Sequence, residues 1–122
     1  MKLTVLTETF SICKLKDYTQ VDLDRPFVFT GSTDEERSLV CPTPIVPTDT
    51  LERSDGWRAF RIEGELDFSL VGIIAGISEV LAKEGIGIFT VSTFNTDYIL
   101  IKDDRFDEAL HVLDQTGHII KR

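Results

Sequence analysis

Few side chains in this sequence are of types that break or make covalent bonds. Cys13 and Cys41 stand 28 positions apart, which is neither a CxxC pair nor a disulfide framework, and no base flanks either thiol in sequence. His111 and His118 are isolated, and no cysteine or acid has metal-ligand spacing to them. Gly85-Ile86-Gly87 lacks the third glycine of a nucleotide loop, and no GxSxG, P-loop or HExxH pattern occurs. What does cluster is hydrogen-bonding capacity. Asp67, Phe68, Ser69, Leu70, Val71 and Gly72 join an apolar-alternating segment to a helical pattern. Ser92, Thr93, Asn95 and Asp97 surround a polar turn between two apolar runs. Such groups hold a ligand reversibly through carboxylate, hydroxyl and backbone N–H contacts. Each also has a purely structural use. Ser69 fits a helix N-cap, Gly72 a close helix–sheet contact, Asn95 and Asp97 turn chemistry, and Ser92 and Thr93 ordinary strand ends. Asp103-Asp104 reads as a solvated helix start.

The elements that position these residues are legible in the second half. Residues 57–65 alternate apolar and polar and read as a half-buried strand. Leu70, Ile73, Ile74, Ile77, Val80 and Leu81 fall at spacings of three and four, the inner stripe of an amphipathic helix that Gly85 stops. Ile86–Phe94 and Tyr98–Ile101 read as strands flanking the turn Asn95-Thr96-Asp97. Phe106, Ala109, Leu110 and Leu113 make the stripe of a second helix, Gly117 ends it, and His118-Ile119-Ile120 is a last short strand. The order is strand, helix, strand, strand, helix, strand, which predicts an α+β, ferredoxin-like βαββαβ unit over residues 56–122 with both helices on one face of a sheet.

The first half, residues 1–55, is β-rich and shorter. Leu3–Leu15 reads as a strand pair or one bent strand, and Phe27–Thr30 and Ser38–Cys41 read as short strands around a polar turn. Residues 16–26 leave no room for a helix as long as 70–84. Pro42, Pro44 and Pro47 limit the next segment to a helical turn or two near 48–53. Phe29-Thr30-Gly31-Ser32-Thr33 echoes Phe89-Thr90-Val91-Ser92-Thr93 at an offset of 60, so the first half reads as a degenerate copy with its helices trimmed.

Composition sets the outer bounds. With 122 residues and 42% hydrophobic content, the chain is the size of one domain or two very small units. The net charge of −8 is shared equally between the halves, which disfavours nucleic acid and anionic membranes as partners. The opening residues carry Glu8 where a signal peptide would be apolar, and the longest apolar stretch, near 70–81, is too short to span a bilayer. With two unpaired cysteines, the expected compartment is the cytoplasm.

Four segments together resemble a known family. They are Gly56-Trp57-Arg58-Ala59-Phe60, the junction Gly64–Gly72, Leu81-Ala82-Lys83-Glu84-Gly85-Ile86-Gly87-Ile88, and the hairpin Val91–Ile101 with its Ser92-Thr93-Phe94-Asn95-Thr96-Asp97-Tyr98 core. The set resembles an ACT domain, an amino-acid-binding regulatory module. It is most similar to short tandem ACT proteins related to aspartate kinase regulatory ends and CASTOR-type arginine sensors. The resemblance implies a non-catalytic sensor without cofactor or metal, acting through the pairing of ACT units, either as a homodimer or on a regulated protein. A small ligand, an amino acid in many family members, would bind beside the first strand-to-helix loop. There, backbone N–H groups of Phe68–Gly72 would take its carboxylate, Asp97 or Asp67 its ammonium, and Ser92, Thr93 and Asn95 further hydrogen bonds. The competing expectation is a ligand-free structural or interaction domain that offers a sheet edge to a partner.

Overall fold

The computed structural model describes residues 1–63 and 72–122, so Asp67, Phe68, Ser69, Leu70 and Val71 lie outside the described residues. The strands are β1 (Lys2–Val5), β2 (Phe10–Leu15), β3 (Phe29–Ser32), β4 (Arg37–Pro42), β5 (Glu52–Ile62), β6 (Phe89–Ser92), β7 (Asp97–Lys102) and β8 (Ile119–Lys121). The helices are α1 (Ile73–Lys83) and α2 (Asp103–Gln115). The fold class is α+β, of the ferredoxin type.

Contacts divide the chain between Trp57 and Arg58, inside β5, where the sequence reading placed the boundary at 55/56. They also assign Met1–Thr7 to the C-terminal unit rather than to the first half. That unit follows the βαββαβ order of β5, α1, β6, β7, α2 and β8, with one addition. Its sheet runs β6-β7-β5-β1-β8, so the N-terminal strand β1 lies between the first and last strands of the motif. β1 pairs antiparallel with β5 (Leu3 opposite Ile62) and parallel with β8 (Leu3 opposite Ile120). Leu3–Leu15, expected as a strand pair or one bent strand, forms two separate strands, β1 and β2, which pair with different stretches of β5. Pairing of this kind joins residues about 60 and 117 positions apart, and no local pattern encodes it.

The core of the C-terminal unit is apolar. Leu3, Phe60, Ile62, Ile77, Leu81, Ile99, Ile101, Phe106, Leu110 and Leu113 are buried together, with Ile73, Ile74 and Val80 packed at the margin. Both helices end the same way. Gly85 and Gly117 take positive φ, 68° and 98°. The N–H of Ile86 then bonds the carbonyl of Leu81 at 3.0 Å, and that of His118 bonds Leu113 at 3.1 Å. These are Schellman caps, and glycine accommodates the left-handed residue they need. Helix α1 starts at Ile73, and the Ser69 cap read from the sequence lies outside the described residues. Its N-cap is Gly72, at φ 82°, and it has no side-chain capping bond.

The N-terminal unit, Glu8–Trp57, has the strand order β3-β4-β2-β5. Its hairpin pairs Phe29 with Val40 and Ser32 with Arg37; the β6–β7 hairpin pairs Phe89 with Leu100 and Ser92 with Asp97. Element bounds and register therefore coincide at an offset of 60 residues. Between β4 and β5 the only helical turn described is the 3-10 turn Thr43–Ile45, seated on Pro44. Over 48–53 no helical turn is described, which lies within the bound of at most a turn or two; residues 48–49 make a plain turn. Leu51 N–H bonds the carbonyl of Lys14 at 2.8 Å, and β5 starts at Glu52, so β2 draws this segment into the sheet.

Candidate functional site

The β6–β7 hairpin is cross-bonded at its tip and tied to β5. At its tip the Thr93 N–H and hydroxyl both donate to the Thr96 carbonyl at 2.9 Å. The Thr96 hydroxyl, buried, donates to the Ile62 carbonyl at 2.8 Å and ties the tip to the end of β5. One step back, Ser92 Oγ donates to Asp97 Oδ1 at 2.5 Å across the strand pair. Threonine in strand and turn positions supplies both the β-branched fit and the donor, which is why short polar residues here build a fixed tip.

A cavity of about 360 Å³ opens between this tip and the end of β5. Thr93, Asn95, Thr96 and Tyr98 line it from the hairpin, Arg61 and Ile62 from β5, and Glu63 from just past its end. The alternation of β5 explains the charges. Phe60 and Ile62 enter the core, which turns Arg61 and Glu63 away from it. Glu63 accepts a hydrogen bond from the Thr4 hydroxyl on β1. That bond first, and then Lys121, Lys2 and Arg61, hold the Glu63 carboxyl below its ordinary value. The cavity therefore presents a carboxylate and a guanidinium on one wall and neutral hydrogen-bonding groups on the other. Such a lining fits a ligand carrying both signs of charge.

Of the residues singled out from sequence, the structure brings Thr93 and Asn95 to the cavity. Ser92 and Asp97 bond each other on the hairpin and do not line it. Gly72 is the N-cap of α1 and is also absent from the lining. Asp67, Phe68, Ser69, Leu70 and Val71 lie outside the described residues. Arg61, Glu63 and Tyr98 were missed. The alternation over 57–65 pointed Arg61 and Glu63 outward, but only the hairpin closing against β5 makes outward mean toward a cavity.

The groups suited to covalent chemistry sit elsewhere. Cys13 and Cys41 are buried in the N-terminal unit, and burial raises both thiols, Cys41 to about 11, so neither is a ready thiolate. Burial lowers His118. Among the described residues no group of three His, Cys, Asp or Glu could hold a metal ion, and no helix is long and apolar enough to cross a membrane.

A family model described as ACT domain matches residues 52–115. The human cytosolic arginine sensor for mTORC1 subunit 1 is 37% identical over 73 residues, covering 57% of this chain and 22% of the sensor; the matched region is thus about a fifth of that relative's length. A crystal structure from Agobacterium tumefaciens superposes with a TM-score of 0.83 at 30% identity, covering 98% of this chain and 90% of that one. The ligand-free regulatory subunit of aspartate kinase from Thermus thermophilus shares the fold, with a TM-score of 0.66 at 10% identity over 94% of this chain and 96% of that chain. The family match spans β5, α1, the β6–β7 hairpin and α2, more than half of the sequence: the chain belongs to the ACT domain family.

Proposed function

We propose that this protein is a non-catalytic regulatory module that binds a free amino acid in the hairpin cavity. The observation that carries the reading is the pairing of Arg61 and Glu63 on one wall of a 360 Å³ cavity faced by Thr93 and Asn95. A zwitterion places its carboxylate on the guanidinium and its ammonium on the carboxylate, while the hydroxyl and amide fix its orientation. Ser92 and Asp97 serve by holding the hairpin. The amino-acid sensor among the relatives supports the ligand class, and its description as cytosolic supports a cytoplasmic setting.

We further infer that the N-terminal unit is a shortened ACT copy, a reading supported by the coincident hairpin register at an offset of 60. Binding would act by favouring one arrangement of paired units over another, within a homodimer or on a regulated protein, through differential affinity rather than chemistry.

The test is thermal unfolding of the full chain against each of the twenty amino acids. A ligand at 100 times its dissociation constant stabilises the native state by about 2.7 kcal/mol, a shift of several degrees. The shift should appear with one amino acid or a related pair, and should disappear in Arg61→Gln and Asn95→Ala. A flat response across the panel refutes the sensor reading and favours the ligand-free interaction domain.

A further inference from the structure

Cys13 and Cys41 both belong to the N-terminal unit, and strand register puts them on one face of its sheet. In the β2–β4 ladder Cys13 stands opposite Leu39 and Ser11 opposite Cys41, so the two cysteines are diagonal neighbours. Side chains two apart on a strand, and side chains directly opposite across a ladder, share a face. Both thiols are free and buried, in one apolar cluster with Leu15 and Leu39. Diagonal positions of this kind lie about 7–8 Å apart. A disulfide prefers Cα separations of about 4.4–6.8 Å, so direct S–S closure is disfavoured. An intervening ion suits the wider spacing, because it adds two metal–sulfur bonds of about 2.3 Å each.

The donor set selects the ion. Among the described residues no third histidine, cysteine or carboxylate completes a metal-holding group. Zinc takes four ligands, and calcium and magnesium take oxygen. Two thiolates alone satisfy a soft, closed-shell copper(I) ion placed between the sulfurs. Arg53 on β5 stands opposite Cys13 across the other edge of β2 and acts electrostatically on both thiols, opposed at Cys13 by Asp55, to which it bonds at 2.8 Å. An open cavity of about 150 Å³ reaches Cys41 past Val28 and Ile45 and gives a small ion an entry path.

We propose that Cys13 and Cys41 hold one copper(I) ion between them. Each thiol gives up its proton to solvent: two thiols and one copper(I) yield a bis-thiolate complex of charge −1 and two protons, with no change of oxidation state. The side chains packed around the pair, Tyr18, Val21 and Val28 among them, keep water from the ion. The site shares no residue with the hairpin cavity and does not rest on the function proposed for it.

The experiment mixes the reduced full chain, without oxygen, with the coloured copper(I)–bicinchoninate complex and follows loss of the colour. One equivalent of copper per chain should leave the chelator, and copper X-ray absorption should show two sulfur ligands. In the ¹⁵N-labelled chain the amides of residues 11–15 and 37–42 should move while those of 97–115 keep their positions. Cys13→Ser and Cys41→Ser, checked for native circular dichroism, should each leave the copper with the chelator. Arg53→Gln, which keeps both thiols, should weaken binding by about tenfold. Copper retained by the chelator in the presence of the unaltered chain, equal uptake by a folded cysteine variant, one copper shared by two chains, or a shell of three or four ligands would each overturn the assignment.

Discussion

The hydroxyl of Thr96 is the fastener between the hairpin tip and β5, and Thr96→Val tests it with little change in shape. Thr96 is 8% exposed and its bond to the Ile62 carbonyl is 2.8 Å long, so water does not readily replace the lost donor. A net hydrogen bond is worth about 1 kcal/mol, and an acceptor left unpaired and buried adds to the loss; the new methyl recovers a few tenths. We expect a destabilisation of about 1–2 kcal/mol. At this chain length that lowers the thermal midpoint by roughly 4–8 °C. The assay is urea unfolding followed by far-UV circular dichroism, with the midpoint reduced and the slope unchanged because the native surface is the same. Since Thr93 and Asn95 ride on the same tip, the midpoint shift produced by the cognate amino acid should shrink in parallel. A loss below about 0.5 kcal/mol, or full retention of the ligand response, would refute the claim that this bond sets the geometry of the cavity.

Three further outcomes follow from local structure. Gly76 lies inside α1 with open space where a Cβ would stand, so Gly76→Ala should stabilise by about 0.5–1 kcal/mol, whereas Gly85→Ala, at φ 68°, should destabilise by about 1 kcal/mol; chemical denaturation distinguishes the signs. Glu63 titrates below its ordinary 4.5, so its contribution to stability is present above that value and lost as pH falls through the lowered folded value; because the Thr4 bond is the leading cause, Thr4→Val should move the Glu63 titration upward in a carboxyl ¹³C NMR experiment. Cys13 and Cys41, both buried with raised thiol values, should react with an aromatic disulfide reagent at pH 8 only as fast as the N-terminal unit opens. Fast stoichiometric labelling of the folded chain would contradict their burial.

Wherever its signal is periodic, the sequence is informative about this fold. The stripe Ile73, Ile74, Ile77, Val80 and Leu81 and the stripe Phe106, Ala109, Leu110 and Leu113 face the core, and Gly85 and Gly117 end both helices. A helix buries one face through contacts three and four residues apart, so its pattern is written locally. The echo at an offset of 60 is likewise a local string, and the two hairpins carry the same register. Over 48–53, where the prolines left room for at most a helical turn or two, a non-local partner set the outcome. Residues 51 and 52 meet β2 through bonds to Lys14, and a distant partner overrides a weak local preference.

For the site, the sequence by itself determined the inventory: a polar turn at Ser92–Asp97 and an apolar–polar alternation over 57–65. Tertiary structure decided which members meet. Thr93 and Asn95 join Arg61 and Glu63 because Thr96 bonds to Ile62, 34 positions away, and Glu63 is held ionised because β1 brings Thr4 and Lys2 beside it. Ser92 and Asp97, equal candidates on paper, bond each other instead. Side-chain direction along a strand follows from a two-residue period, but which strand lies opposite depends on pairing between distant segments, and that pairing is settled only when the whole sheet is assembled.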